Sequence, residues 1–137
     1  MRCSAFLPAA PTPDAETREA YVTGDLDMIV MQWRIAQLNT RGTERLRDRQ
    51  TFVDQGLVPL YDEALATATG VTEWVQGTGD PLILETHSAL VEAIATDRSY
   101  WLAWATRDAA STRSAAGEAA AANQMFEAAH QRLLAAG

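Results

Sequence analysis

The sequence predicts an all-α fold, an antiparallel up-down bundle of four helices. Apolar residues recur at helical spacing through most of the chain. No segment alternates apolar and polar residues with the two-residue period of a half-buried strand, and the Asn-Gly and Asp-Gly pairs typical of hairpins are absent. The segments between the predicted helices are short, which favours antiparallel neighbours. With 137 residues in total, we expect one helical-bundle domain over residues 14–137.

An N-terminal arm precedes the first predicted helix. Residues 1–13 are rich in proline and alanine, and their prolines cannot lie inside a continuous helix, so we expect this segment to be extended and flexible. Helical spacing begins at Asp14. Gly24 is expected to interrupt or kink the first helix, and Asp25 could cap a restart.

The next segment, Leu26–Leu38, is apolar on two faces of a helix. At about 100° per residue, one face holds Leu26, Ile29, Val30 and Trp33, and the other holds Met28, Met31, Ile35 and Leu38. A helix with one core face and one solvated face has a single apolar stripe. The second face must therefore be covered by another helix of this chain, by a partner subunit or by a ligand.

The second predicted helix follows a turn at residues 39–42. Thr43 is expected to cap it, and the helix should end at Gly70. Its apolar stripe keeps its phase across Gly56 and Pro59. A proline that preserves the phase predicts a bend, and a break into two short helices is the alternative.

The third and fourth helices complete the predicted bundle. Residues 71–80 are expected to form a loop with one short helical turn, after which Asp80 caps a third helix that begins at Pro81 and ends near Ala110. The break before the fourth helix is expected within residues 111–117. If the chain does not break there, the last two helices are continuous and the bundle has three helices.

Composition excludes several classes of function. All 11 basic residues are arginine, so chemistry that needs a lysine, such as Schiff-base catalysis or a P-loop, is excluded. The single cysteine, Cys3, excludes a disulfide within the chain and a thiolate zinc cluster. A net charge of −7 opposes binding to nucleic acid or to an anionic membrane. The richness in alanine and arginine points to a GC-rich, bacterial genome.

The sequence contains no complete metal or catalytic constellation. Glu127 and His130 form a Glu-x-x-His pair, which di-iron bundles use, but those proteins need a second such pair, and His87 has no suitably spaced carboxylate. The chain also lacks the Gly-x-Ser-x-Gly nucleophile elbow. No apolar run is long enough to span a membrane. We therefore predict no catalytic residues, no metal, no cofactor and no transmembrane segment.

Several polar residues fall on predicted core faces. Aligning the helices of an antiparallel bundle turn by turn places His87 near Tyr21 and Tyr61. There it is either a structural histidine or part of a small polar pocket. Arg98 falls among the apolar residues of the third helix, and the same alignment pairs it with Asp54.

A row of arginines occupies the predicted start of the second helix. Arg41, Arg45 and Arg49 lie four residues apart, a spacing that could recognise phosphate or carboxylate groups. Glu44 and Asp48 are interleaved with them. We therefore predict a solvated helix start with salt bridges in place of an anion site.

The doubly apolar helix leads to our main functional expectation, a non-catalytic protein that acts by binding and associates with itself or with a protein partner. Its second apolar face should form the interface, through Met28, Met31, Ile35 and Leu38. Trp104, in the densest aromatic patch of the chain, is a further candidate because interfaces concentrate aromatic anchors.

Two alternatives stay open at this point. The first is a small-molecule binder or minor enzyme with a pocket of ~300 Å³ or more between helices, lined by Trp33, Trp101, Met31 and His130. The second is an exported or lipid-anchored envelope protein, because Cys3 and the following Pro/Ala-rich stretch resemble the tether of a bacterial lipoprotein. No apolar leader precedes that cysteine, so we expect a cytoplasmic protein.

Overall fold

The computed structural model describes residues 13–43 and 46–136, and within these ranges it holds helices and no strands. The predicted all-α fold is confirmed. The arm predicted over residues 1–13, with Cys3, lies outside the described residues except for Pro13, where the first helix begins.

The first long helix, α1, covers residues 13–38 without a break. It is α-helical over Pro13–Ala20, π-helical over Tyr21–Asp25 and α-helical again over Leu26–Leu38. In the π turn the amide of Leu26 donates to the carbonyl of Tyr21, five residues earlier. Residues five apart point in different directions in an α-helix, but the π turn lets both Tyr21 and Leu26 face the core, where both are buried. The interruption predicted at Gly24 therefore takes the form of a wider turn.

The second long helix, α2, covers residues 49–70 and is likewise continuous. It is α-helical over Arg49–Phe52, π-helical over Val53–Leu57 and α-helical over Val58–Gly70. The predicted start at Thr43 is wrong. The helix begins six residues later because the carboxylate of Asp48 accepts hydrogen bonds from the amide and hydroxyl of Thr51 and caps the first turn.

The π turn of α2 ends at the residue two positions before Pro59. The amide of Val58 donates to the carbonyl of Val53, which is the last bond in the wide register. Proline has no amide hydrogen, so Pro59 cannot donate to a carbonyl in the turn before it. The wide turn accommodates this missing bond, and the helix is not broken into two.

Three further helices complete the chain: α3 over Thr72–Thr78, α4 over Pro81–Thr106 and α5 over Ala109–Ala136. The short α3 replaces the single turn expected there. The predicted start of α4 is confirmed, since the carboxylate of Asp80 accepts from the amide of Leu82 at 3.0 Å. With α1, α2, α4 and α5 as the long helices, the four-helix architecture is confirmed.

The break before the last helix lies at Arg107 and Asp108, so its predicted position within residues 111–117 is wrong. Arg107 takes the left-handed conformation with φ of 64° and ends α4. Asp108 then accepts from the amide of Ser111 at 3.2 Å and caps α5. Gly117 lies inside α5, because an exposed glycine weakens a helix without ending it.

Side-chain contacts fix the relative directions of the helices. Arg18 and Asp80, near the starts of α1 and α4, form an ion pair of 2.6 Å. Near the other ends of these helices, the indole of Trp33 donates to Asp97 at 2.9 Å. Helices α1 and α4 are therefore parallel and diagonal across the bundle.

The other pairs are antiparallel. Arg49 at the start of α2 bonds the carbonyl of Trp104 at the end of α4, whereas Ala68 at the end of α2 bonds His87 near the start of α4. Helix α5 returns along α4, where the carbonyl of its Ala129 accepts from Thr86. The predicted up-down order is confirmed.

The partner of Arg98 on α2 differs from the prediction. Arg98 pairs with Asp62 at 2.8 Å and not with Asp54, whose carboxylate accepts from Gln50 on its own helix. The arginine pairs about two turns further along α2, since Asp54 is already bonded within its own helix. The side chain of Arg98 is also partly exposed, and so it lies at the edge of the core.

Candidate functional site

The exposed face of α1 carries a continuous row of large apolar side chains, which we call the apolar stripe. Its four members are Met28, Met31, Ile35 and Leu38, with exposed fractions of 50%, 55%, 46% and 54%. The opposite face of the same helix is buried through Leu26, Ile29, Trp33 and Ala36. The two apolar faces predicted from the sequence therefore exist, and only one of them is covered by described residues.

The apolar stripe has the spacing of a coiled-coil seam. Its members are three, four and three residues apart, which is the a/d spacing of a heptad repeat. The outer pair, Met28 and Leu38, and the inner pair, Met31 and Ile35, each lie symmetrically about position 33. The stripe is about 15 Å long, at 1.5 Å of rise per residue.

Trp104 does not extend this exposed surface. Only 8% of it is accessible, and the guanidinium of Arg49 lies 4.2 Å from the centre of its ring. Arg49 also donates to the main-chain carbonyl of Trp104 at 3.1 Å. The indole is thus enclosed within its own chain, and the exposed candidates for an interface are the four residues of the apolar stripe.

The structure separates the four residues of the expected pocket. Trp33 and His130 both contact the ring of Phe126, the indole edge-to-face at 6.0 Å and the imidazole stacked at 5.3 Å. Met31 lies on the exposed face of α1, away from Trp33. Trp101 packs between two other rings, at 4.9 Å from Tyr100 and 5.3 Å from Trp104.

The cavity that Trp33 lines is small. It has a volume of about 200 Å³, and its other walls include Gln37, Asp97 and Asn123. A pocket for a small organic ligand usually has a volume of ~300 Å³ or more. This cavity therefore gives the small-molecule alternative little support.

Asp97 is a polar centre that sequence reasoning missed. Its carboxylate accepts from the indole of Trp33 and from the hydroxyl of Tyr61, both at 2.9 Å. Burial and the neighbouring Asp97 charge raise the pKa of Tyr61 above its usual value, so this phenol stays protonated and donates. The sequence did indicate that Asp97 faces the core, because Asp97 continues the helix face that includes His87, Leu90 and Ile94.

His87 is buried with both ring nitrogens bonded. Its Nε2 lies 2.9 Å from the carbonyl of Ala68, and its Nδ1 lies 3.0 Å from the hydroxyl of Tyr21. A carbonyl can only accept, so Nε2 carries the hydrogen and Nδ1 accepts from the phenol. Burial lowers the pKa of His87, which favours this neutral form. The predicted contact with Tyr21 is confirmed, whereas Tyr61 bonds Asp97 instead.

No described group has the make-up of a metal centre. Within residues 13–43 and 46–136, no cluster of three or more His, Cys, Asp or Glu side chains could hold a metal ion. His130 is half-buried against Phe126. None of the described helices has both the length and the hydrophobicity to cross a membrane.

Comparisons of this chain with protein-family models, with curated proteins and with solved structures find no match. Among the described residues, the apolar stripe of α1 is the feature that most directly indicates a function.

Proposed function

We propose that this protein is a non-catalytic helical bundle that acts by binding, and that it associates with a second copy of itself through the apolar stripe of α1. The exposure of four large apolar side chains along one helix face carries the proposal. A contiguous apolar patch of this kind is typical of interaction surfaces.

The symmetry of the stripe favours a second copy over an unrelated partner. A two-fold interface uses the same patch on both subunits, so the patch must be complementary to itself. If two α1 helices pack antiparallel about position 33, Met28 meets Leu38 of the second copy and Met31 meets its Ile35. Each facing pair then joins a methionine with a branched side chain, and the flexible methionine thioether can fill gaps in the packing.

The size of the stripe predicts weak association. Fully burying a side chain of this kind contributes roughly 1.5–3 kcal/mol, so covering the exposed half contributes about 1 kcal/mol. Eight such side chains from two copies contribute about 8 kcal/mol, against an association cost on the order of 4–15 kcal/mol. Even with the association cost at the low end of that range, the stripe alone supports a dissociation constant of only about 1 mM, and every ~1.4 kcal/mol from flanking contacts tightens it tenfold.

Sedimentation velocity over about 10 µM to 1 mM tests the proposal, because the upper end of that range reaches the expected dissociation constant. The native protein should move from monomer towards dimer as its concentration rises. The double variant Met31→Gln/Leu38→Gln should stay monomeric through this range, because a polar amide then replaces one apolar side chain in each of the four facing pairs.

A matched control separates the stripe from general surface hydrophobicity. Met125 and Leu134 on α5 are also exposed, so Met125→Gln/Leu134→Gln makes the same chemical change elsewhere. This control should dimerise like the native protein. A native protein that stays monomeric near 1 mM, or two double variants that weaken association equally, would overturn the proposal.

A further inference from the structure

We propose that a surface cavity between α2, α4 and α5 binds a small multivalent oxyanion, either an organic phosphate or a polycarboxylate. The cavity has a volume of about 440 Å³. Three arginines line it, namely Arg49, Arg107 and Arg113, together with Tyr100 and Thr112. No carboxylate is among the lining residues.

The charge of these arginines is not compensated within the described part of the chain. Elsewhere, Arg18, Arg98 and Arg132 each form an ion pair with a carboxylate, at distances of 2.5–2.8 Å. The three arginines of the cavity form none, although the protein carries a net charge of −7. Acidic residues are therefore plentiful in this chain, yet none of the described ones forms an ion pair with these three arginines.

Two carboxylates near the cavity are engaged in helix capping. Asp48 accepts from Thr51 at the start of α2, and Asp108 accepts from Ser111 at the start of α5. The bonds from the amide and hydroxyl of Thr51 lower the pKa of Asp48, and those from the hydroxyl and amide of Ser111 lower the pKa of Asp108. Their oxygens point into the caps and do not line the cavity.

Arg49 retains an unsatisfied donor. One terminal nitrogen of its guanidinium bonds the carbonyl of Trp104, and the guanidinium stacks on the indole, which holds it in place. Its Nε is buried and has no hydrogen-bond partner. A buried donor without an acceptor costs free energy, and an anion in the cavity could supply that acceptor.

Arg107 is held in a strained conformation beside the same cavity. Its φ of 64° is unusual for a residue with a side chain. Its guanidinium donates to the carbonyl of Arg47 at 2.9 Å, which ties the turn after α4 to the segment before α2. An arginine has five donor hydrogens, so donors remain for a ligand. Strained residues of this kind cluster at functional sites.

The chemistry and the volume together define the ligand class. Guanidinium groups bind carboxylate and phosphate oxygens through paired hydrogen bonds. Three of them suit a ligand with two or more negative charges, and Tyr100 offers a ring and a hydroxyl for an attached organic body. The volume falls within the range usual for small-molecule sites.

Calorimetric titration of the full-length protein in low-salt buffer tests the proposal, with pyrophosphate and citrate as separate probes. We expect saturable binding of at least one probe that weakens as salt is added. The ¹⁵N-labelled side-chain signal of Arg49 Nε should shift on binding, because that group gains an acceptor. A response to pyrophosphate alone assigns phosphate ligands, and a response to citrate alone assigns carboxylates.

The variant Arg113→Gln tests ligand binding separately from stability. Arg113 lines the cavity but makes no described hydrogen bond or ion pair, so its loss should not affect folding. We expect it to weaken binding about tenfold, the equivalent of one charge-assisted hydrogen bond. The control Arg34→Gln removes the same charge from exposed α1 and should change affinity less than about twofold. Equal weakening by both variants, or no saturable binding of either probe, would overturn the proposal.

Discussion

At the scale of single residues, His87 is the clearest case of a polar group fitted into an apolar core. Tyr21 donates to one ring nitrogen and the carbonyl of Ala68 accepts from the other, so the imidazole is satisfied only in its neutral form. The π turn of α1 makes this possible because it directs Tyr21 towards α4. Local helix geometry and core chemistry therefore depend on each other here.

The burial of His87 predicts a pH dependence of stability. Its pKa is lowered in the folded state, so the unfolded chain binds a proton first as the pH falls below ~6.5. The free energy of unfolding should therefore decrease from neutral pH towards the lowered pKa. Urea titrations of the native protein and of His87→Gln should show a steeper decrease for the native protein. A native slope in His87→Gln would contradict this assignment.

Replacing the side chain of Asp97 with that of alanine should cause a large loss of stability. Asp97→Ala leaves the indole of Trp33 and the hydroxyl of Tyr61 without their acceptor, and each unsatisfied group costs ~1–3 kcal/mol. We expect a total loss of roughly 2–6 kcal/mol in urea unfolding. Asp62→Ala breaks only the exposed pair with Arg98 and should cost less than ~1 kcal/mol. Similar losses in both variants would contradict the central role of Asp97.

Sequence reasoning found one of these two polar centres. The contact of His87 with Tyr21 followed from aligning the starts of two helices. Both residues lie close to helix N-termini that the sequence marks well. Asp97 was missed because periodicity was used to find apolar residues, whereas the stripe of α4 admits one carboxylate among them. Its two donors lie 64 and 36 positions away in the sequence, and local patterns do not relate such distant residues.

At the scale of helices, aspartate caps decide where α2, α4 and α5 start. Asp80 was predicted because a proline follows it, whereas Asp48 and Asp108 were not, although each is followed three residues later by a hydroxyl residue that it bonds. Hydrophobic periodicity does not mark these starts because a cap residue lies outside the apolar face of the helix that it begins. Helix identity was therefore predictable from the sequence, and helix ends depended on cap chemistry.

Alanine substitutions at two glycines, Gly117 and Gly79, should have opposite effects on stability. Gly117 is exposed inside α5, and a methyl group there would meet no atom within 4 Å, so Gly117→Ala should stabilise the protein by about 0.5–1 kcal/mol. Gly79 ends α3 with φ of 62°, a conformation that alanine resists. Gly79→Ala should destabilise by roughly 1–2 kcal/mol in thermal or urea unfolding. A loss of stability in Gly117→Ala would contradict the continuous α5 described above.

At the scale of the whole molecule, α1 has more apolar surface than the described bundle covers. The sequence predicted both apolar faces of this helix, because helical phase alone assigns residues to faces. It left open whether the second face is covered by the same chain, since that depends on how the other helices pack. The bundle packs around one face, and the apolar stripe remains exposed.

Methionine methyl groups offer the most direct test of self-association through this stripe. The chain has four methionines, of which Met28 and Met31 lie on the stripe and Met125 is 69% exposed on α5. Methyl NMR with a soluble paramagnetic agent reports the accessibility of each one separately. As protein concentration rises to about 1 mM, our account predicts that Met28 and Met31 become protected from the agent while Met125 stays accessible. Unchanged accessibility of all three over that range would contradict it.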